Sequence, residues 1–200
     1  MKVSLLSCGI FRFELEYLLP EITAALGDIS VEFLSPALDV KADLLEKSVR
    51  AYLESRPQDK TVLLYGSMCH TEWARITGKS AVVYPKAANC VELLVSPEKK
   101  KLSDACGNVY YLTMGGLKLW KDIYLQGHGW DETDARINFG SFEQILVLDT
   151  GVFPISDEEL FEFFEFTRVP VERMPISLDY FKSLVLELCT AAAAAEIPGT

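Results

Sequence analysis

The chain has 200 residues, half of them apolar, and carries 29 acidic against 19 basic side chains for a formal net charge of −10. That length and composition suit one domain with a sizeable core and exclude a disordered chain. With no cationic cluster beyond Lys99-Lys100-Lys101, most of the surface would repel a phosphate backbone, which argues against a nucleic-acid partner.

The first nine residues, Met1 to Gly9, read as a strand and a turn. Their apolar part is too short for a signal-peptide core, and no apolar run reaches membrane-spanning length, so a soluble, cytoplasmic protein is expected. Leu15, Leu18, Leu19, Ile22 and Leu26 then form a helical stripe in which Pro20 is expected to kink or split the helix. Further strands are predicted at Val31 to Leu34, Thr61 to Tyr65, Ala81 to Tyr84, Val109 to Thr113, Ile145 to Leu148 and Val169 to Met174, besides Val3 to Ser7. Leu45, Val49, Tyr52 and Leu53 mark a second helix. Ser156-Asp157-Glu158-Glu159 is a capping box ahead of an aromatic helix, and Ser177 opens the last one. The aromatic helix, 157–166, holds more rings than one face buries; extra core is the first expectation, and contact with a second copy of the chain the other.

Strands alternating with helices predict an α/β fold, a mostly parallel sheet flanked by helices in Rossmann-like layers. One compact domain is expected over 1–190, with a flexible tail over 191–200.

In a parallel sheet, ligands gather where strands end and loops converge. Three cysteines stand just past strand ends: Cys8, Cys69 and Cys90. Gly66 permits a tight turn before Cys69, and Asn89 precedes Cys90 at the start of a helix, where a thiol would be acidified. Three thiols on separate loops could hold zinc with one open position, or three irons of a four-iron cluster. His70 is a candidate fourth ligand, or else a solvated loop residue. From the residues alone, burial of small apolar cysteines in a core is the stronger reading, since no CxxC pair is present. Cys189, on an apolar helical stripe, reads as packing, and Cys106 as an incidental turn residue.

Gly78-Lys79-Ser80 resembles the end of a phosphate loop, but Trp73 stands where the first glycine belongs, and a strand follows. Asp149-Thr150-Gly151 resembles the aspartic-protease triplet without its partner triplet or all-β setting. Asp149 is a candidate for the same strand-end cleft, with loop fixing the expected role. His128, between two glycines, is expected to be a loop residue, with a place in a pocket as the alternative.

The segments Ser7-Cys8 with Glu14 after it, Tyr65-Gly66-Ser67-Met68-Cys69-His70, and Asn89-Cys90-Val91-Glu92-Leu93-Leu94 together resemble the domain-of-unknown-function family 1638. Tyr110-Tyr111-Leu112-Thr113 and Asp149-Thr150-Gly151 extend the likeness over most of the chain. That family occurs in anaerobes and is often encoded beside corrinoid-dependent methyltransferases. Thr71, where members often carry proline, and Ser96-Pro97, where a glycine is common, depart from its pattern.

The resemblance turns the balance toward a shared Cys8/Cys69/Cys90 site and supplies no reaction. It implies a thiolate-ligated zinc or iron–sulfur protein assisting anaerobic one-carbon metabolism, with a small molecule or a corrinoid protein as partner. The alternatives are a metal-free enzyme with Cys69 or Cys90 as nucleophile and His70 as base, and a non-catalytic assembly protein.

Overall fold

The computed structural model describes residues 3–78, 81–96, 100 and 107–195. Cys106, two of the three clustered lysines and Lys79-Ser80 of the discarded phosphate-loop match lie outside the described residues.

All seven expected strands form, and every pairing among the described residues is parallel. They build two sheets where one was expected. The first has the order β2-β1-β3-β4, from β1 (Val3–Cys8), β2 (Ile29–Leu34), β3 (Lys60–Leu64) and β4 (Val82–Val83). The second has the order β5-β6-β7, from β5 (Val109–Thr113), β6 (Gln144–Asp149) and β7 (Val171–Pro175). β4 pairs over only two residues, so the first sheet ends there with little free ladder to extend.

β1 and β3 are buried along their whole length, as central strands covered on both faces must be. Ser4 and Thr61 sit opposite one another across these strands, and their hydroxyls pair at 3.1 Å, which satisfies two polar groups in the core. From β1 the chain crosses to β2 on one side and then to β3 on the other. The carboxyl ends of β1 and β3 therefore flank the point where strand order reverses, the usual ligand crevice of such sheets.

Helix α1 (Arg12–Leu26) runs unbroken through Pro20, because Leu15, Leu18 and Ile22 are all buried and hold both halves to the sheet. α2 (Ala42–Ser55) buries Leu45, Val49, Tyr52 and Leu53, as the stripe predicts. α3 (Trp73–Thr77) and α4 (Cys90–Leu94) are single turns. Beyond β5 come α5 (Met114–Lys118), a π-helical segment over Lys121–His128, α6 (Glu132–Phe139) and α7 (Asp157–Thr167).

The capping box at α7 is complete: Ser156 Oγ accepts from Glu159 N–H at 3.2 Å, and Glu159 Oε2 accepts from Ser156 N–H at 2.9 Å. Phe163 and Phe166 of α7 enter the second core, while Phe161 stays 62% exposed.

The last helix, α8 (Asp179–Ala194), returns to the first sheet, where Phe181, Val185 and Leu188 join its core. It runs past the expected boundary at 190: Ala192 is buried, and Lys60 Nζ donates to the Ala193 carbonyl at 2.6 Å. Cys189 is core packing as expected, with its thiol pushed up to about 11 by burial.

The two sheets meet along a seam built by the start of α1. The backbone of Gly115 lies against the Ile10 carbonyl so closely that a Cβ there would fall 1.8 Å from the oxygen. Phe13 packs on Phe153 with centroids 5.0 Å apart. The Thr150 hydroxyl donates to Glu14 at 3.3 Å.

Candidate functional site

A cavity of about 170 Å³ opens at the strand-order reversal, and Cys8, Cys69 and Cys90 all line it. Each arrives by a different local device. Cys8 ends β1 and is 8% exposed; the chain turns sharply after it through Gly9, where a Cβ would meet the Leu34 carbonyl at 2.8 Å.

Cys69 sits in a turn closed by its own N–H donating to the Gly66 carbonyl at 3.2 Å. Trp73 Nε1 donates to the same carbonyl at 3.0 Å and fixes the turn from behind.

Cys90 is the first residue of α4, whose N-cap is Asn89: the side-chain oxygen accepts from Val91 and Glu92 N–H at 3.1 Å each. Asn89→Ala should therefore cost about 1 kcal/mol of stability while Asn89→Ser retains most of it, read by thermal or urea unfolding. A cost equal for both variants would mean that the cap does not matter.

The Cys69 and Cys90 loops are laced together. Ser67 N–H donates to the Ala87 carbonyl at 2.9 Å and Met68 N–H to that of Ala88 at 2.8 Å. Gly66, predicted for its turn, is needed for this close approach: a Cβ there would stand 2.4 Å from the Ala88 oxygen and 2.6 Å from Asn89 Cα.

The second sheet closes the cavity. Tyr110, Tyr111 and Thr113 of β5, with Tyr124 and His128 of the π-helical segment, face the three cysteines. The Tyr110 and Tyr124 hydroxyls pair at 2.9 Å. Burial holds the Tyr124 phenol neutral, well above its usual range, and Tyr110 and Cys90 add to that push. His128 stacks on Trp130 at 4.4 Å and so belongs to the wall, the alternative the sequence left open. No Lys, Arg, Asp or Glu is among the described lining residues.

Three predicted site residues stand elsewhere. His70 does not line the cavity: its Nδ1 accepts from Glu72 N–H at 3.1 Å, its Nε2 lies 3.6 Å from Glu46, and its ring packs on Trp73. With Nδ1 taken up locally and the residue only 8% exposed, its ring against Trp73, it is a histidine buried beneath the loop and not a solvated one. Asn89 is occupied as a cap. Asp149 accepts from Gly151 N–H at 2.9 Å and fixes that turn, the role expected first. α4 spans only five residues, and Asn89 takes two of the N–H groups at its start.

One residue of chemical interest carried no role in the sequence. Glu14 is 0% exposed, and burial pushes its carboxyl up to about 7 despite the bond from Thr150. Its second oxygen, Oε2, has no hydrogen-bond partner among the described residues. In the sequence it figures only in the segment after Ser7-Cys8 that carries the family resemblance, beside the apolar stripe that begins at Leu15.

Among the described residues, no group of three or more His, Cys, Asp or Glu side chains is already arranged as a metal site. The thiols share a cavity without forming a finished ligand cage. No helix among the described residues is long and apolar enough to cross a membrane.

The chain belongs to the family described as Protein of unknown function (DUF1638), whose model matches residues 33–185. Cys69 and Cys90 fall inside that match, and Cys8 and Glu14 precede it. No curated protein and no solved structure gives a match.

Proposed function

We propose that the protein binds a thiophilic metal ion or an iron–sulfur cluster through Cys8, Cys69 and Cys90, with the remaining coordination position open to a small ligand. The observation that carries this reading is the convergence of three thiols, from three separate strand ends, on one cavity. The described lining supplies no Lys or Arg to offset ionised sulfur, so a bound cation is the natural counter-charge for three thiolates. Because no finished cage is present, the loops must draw the sulfurs inward as the ion enters.

The placement of His70 weighs against the metal-free nucleophile in the form expected from the sequence. Such a thiol needs a base, and the one expected, His70, faces Glu72 and Glu46 outside the cavity, which leaves His128 as the imidazole on the described lining. In the one-carbon setting that the resemblance implies, an open metal position would take a thiolate or carboxylate, or a cluster would pass electrons to a corrinoid partner.

Protein purified without oxygen should carry stoichiometric zinc or iron, with a visible charge-transfer band in the second case. Serine at any one of the three cysteines should strip it, and zinc added to the metal-free chain should release about three protons per ion. Metal content that survives all three substitutions, or none in the parent, ends the proposal.

A further inference from the structure

We infer that Glu14 is a proton-operated latch on the seam between the two sheets, holding the cysteine cavity closed when protonated and loosening it when ionised. This concerns access to the cavity of the proposed site, and it rests on the cavity rather than on the metal.

The geometry comes first. A 3-10 turn over Gly9–Phe11 links Cys8 to α1, and this turn and the start of α1 make the seam: Ile10 against Gly115, Phe13 against Phe153, Glu14 against Thr150. Ile10 and Gly116 also line the cavity, so the seam forms one of its sides. A carboxyl group with no exposed surface and one oxygen without a partner among the described residues is costly unless neutral.

Its surroundings offer no compensation for charge. From α5 the Met114 sulfur, an uncharged acceptor, shares the Thr150 hydroxyl at 3.7 Å. From the turn after β6 Glu14 meets Thr150, while neighbouring Asp149 is spent on Gly151 N–H. Cations on α1 and the adjoining elements are paired with other acids: Arg12 faces Glu16, Lys118 faces Glu159, and Lys182 of α8 faces Glu21. Burial, the helix backbone and Thr150 alone set the group's ionisation, with no charged neighbour among its causes.

The sign follows from where the proton is held. The closed seam raises the carboxyl from 4.5 to about 7, so closure is favoured fully below 4.5 and loses ground as pH rises toward 7, with a plateau above. If opening restores ordinary hydration, the open fraction should grow about tenfold between pH 6 and pH 8.

The test is the labelling rate of Cys69 by a disulfide reagent in the metal-free, full-length protein, compared with Glu14→Gln in the same buffers. Taking the ratio of the two proteins at each pH cancels the intrinsic ionisation of the thiol. That ratio should rise about tenfold from pH 6 to pH 8, and a flat ratio overturns the latch. Should Glu14→Gln fail to fold, Thr150→Val provides the second variant. Removing a bond that favours the ionised form should move the opening midpoint to higher pH, and an unmoved midpoint overturns the inference. Zinc uptake by Glu14→Gln at pH 6, where all three cysteines remain, examines the metal reading separately.

Discussion

Gly115→Ala is expected to cost about 3 kcal/mol and, for a chain of this size, to lower the melting temperature by roughly 6–12 °C. The new Cβ would lie 1.8 Å from the Ile10 oxygen, 2.7 Å from its carbonyl carbon and 3.1 Å from its Cα. All three are backbone atoms of the chain leaving Cys8, so no rotamer change relieves the overlap and the seam itself must part. Thermal unfolding reads the cost, and faster labelling of Cys69 reads the parting. Gly116→Ala is the internal comparison. Its Cβ would meet Leu112 Cδ1 at 2.8 Å and Thr113 Oγ1 at 3.0 Å, side-chain atoms that can yield, so its cost should be nearer 1 kcal/mol. Equal stability of the two variants would mean that the sheets are not held together at Ile10.

The contrast between those two glycines illustrates what the amino-acid order reveals and what it hides. Strands announced themselves because β1 and β3 are buried on both faces and their composition is dictated locally. The α7 capping box was equally legible, since both of its hydrogen bonds lie within four residues. The break between β4 and β5 was not, because which strands pair is a long-range matter that short apolar runs do not encode.

The site divides along the same line. That Cys8, Cys69 and Cys90 follow strand ends is a local fact, and the parallel topology then carries them to one cavity. That His70 leaves Cys69 for Glu46 depends on α2, far away in the chain, and no spacing rule could announce it. Tyr124 and His128 come from a π-helical segment without a recognisable pattern, and only packing onto β5 shows that they complete the wall. Glu14 was visible as part of the family resemblance but carried no role there, because its burial beside Leu15 and Leu18 is a product of packing.

Gly66→Ala is the substitution that should separate the metal site from the fold. Its Cβ would press on the backbone of Ala88 and Asn89, at 2.4–2.7 Å, at the point where the Cys69 and Cys90 loops are tied by Ser67 and Met68. The overlap is again with main chain, but here the strained pieces are two surface loops with freedom to move apart. The stability cost should therefore be modest, about 2 kcal/mol, while zinc affinity, measured by competition with a chromophoric chelator, should fall by about tenfold or more. The reasoning is geometric: a thiolate cage tolerates errors of only a few tenths of an ångström in its sulfur positions, and separating these loops moves two of the three donors at once. Gly115→Ala, which strains the seam and leaves the loop lacing intact, should do the reverse, losing more stability and less affinity. If Gly66→Ala takes up zinc as the parent does, then Cys69 and Cys90 are not joint ligands and their loops meet for packing alone.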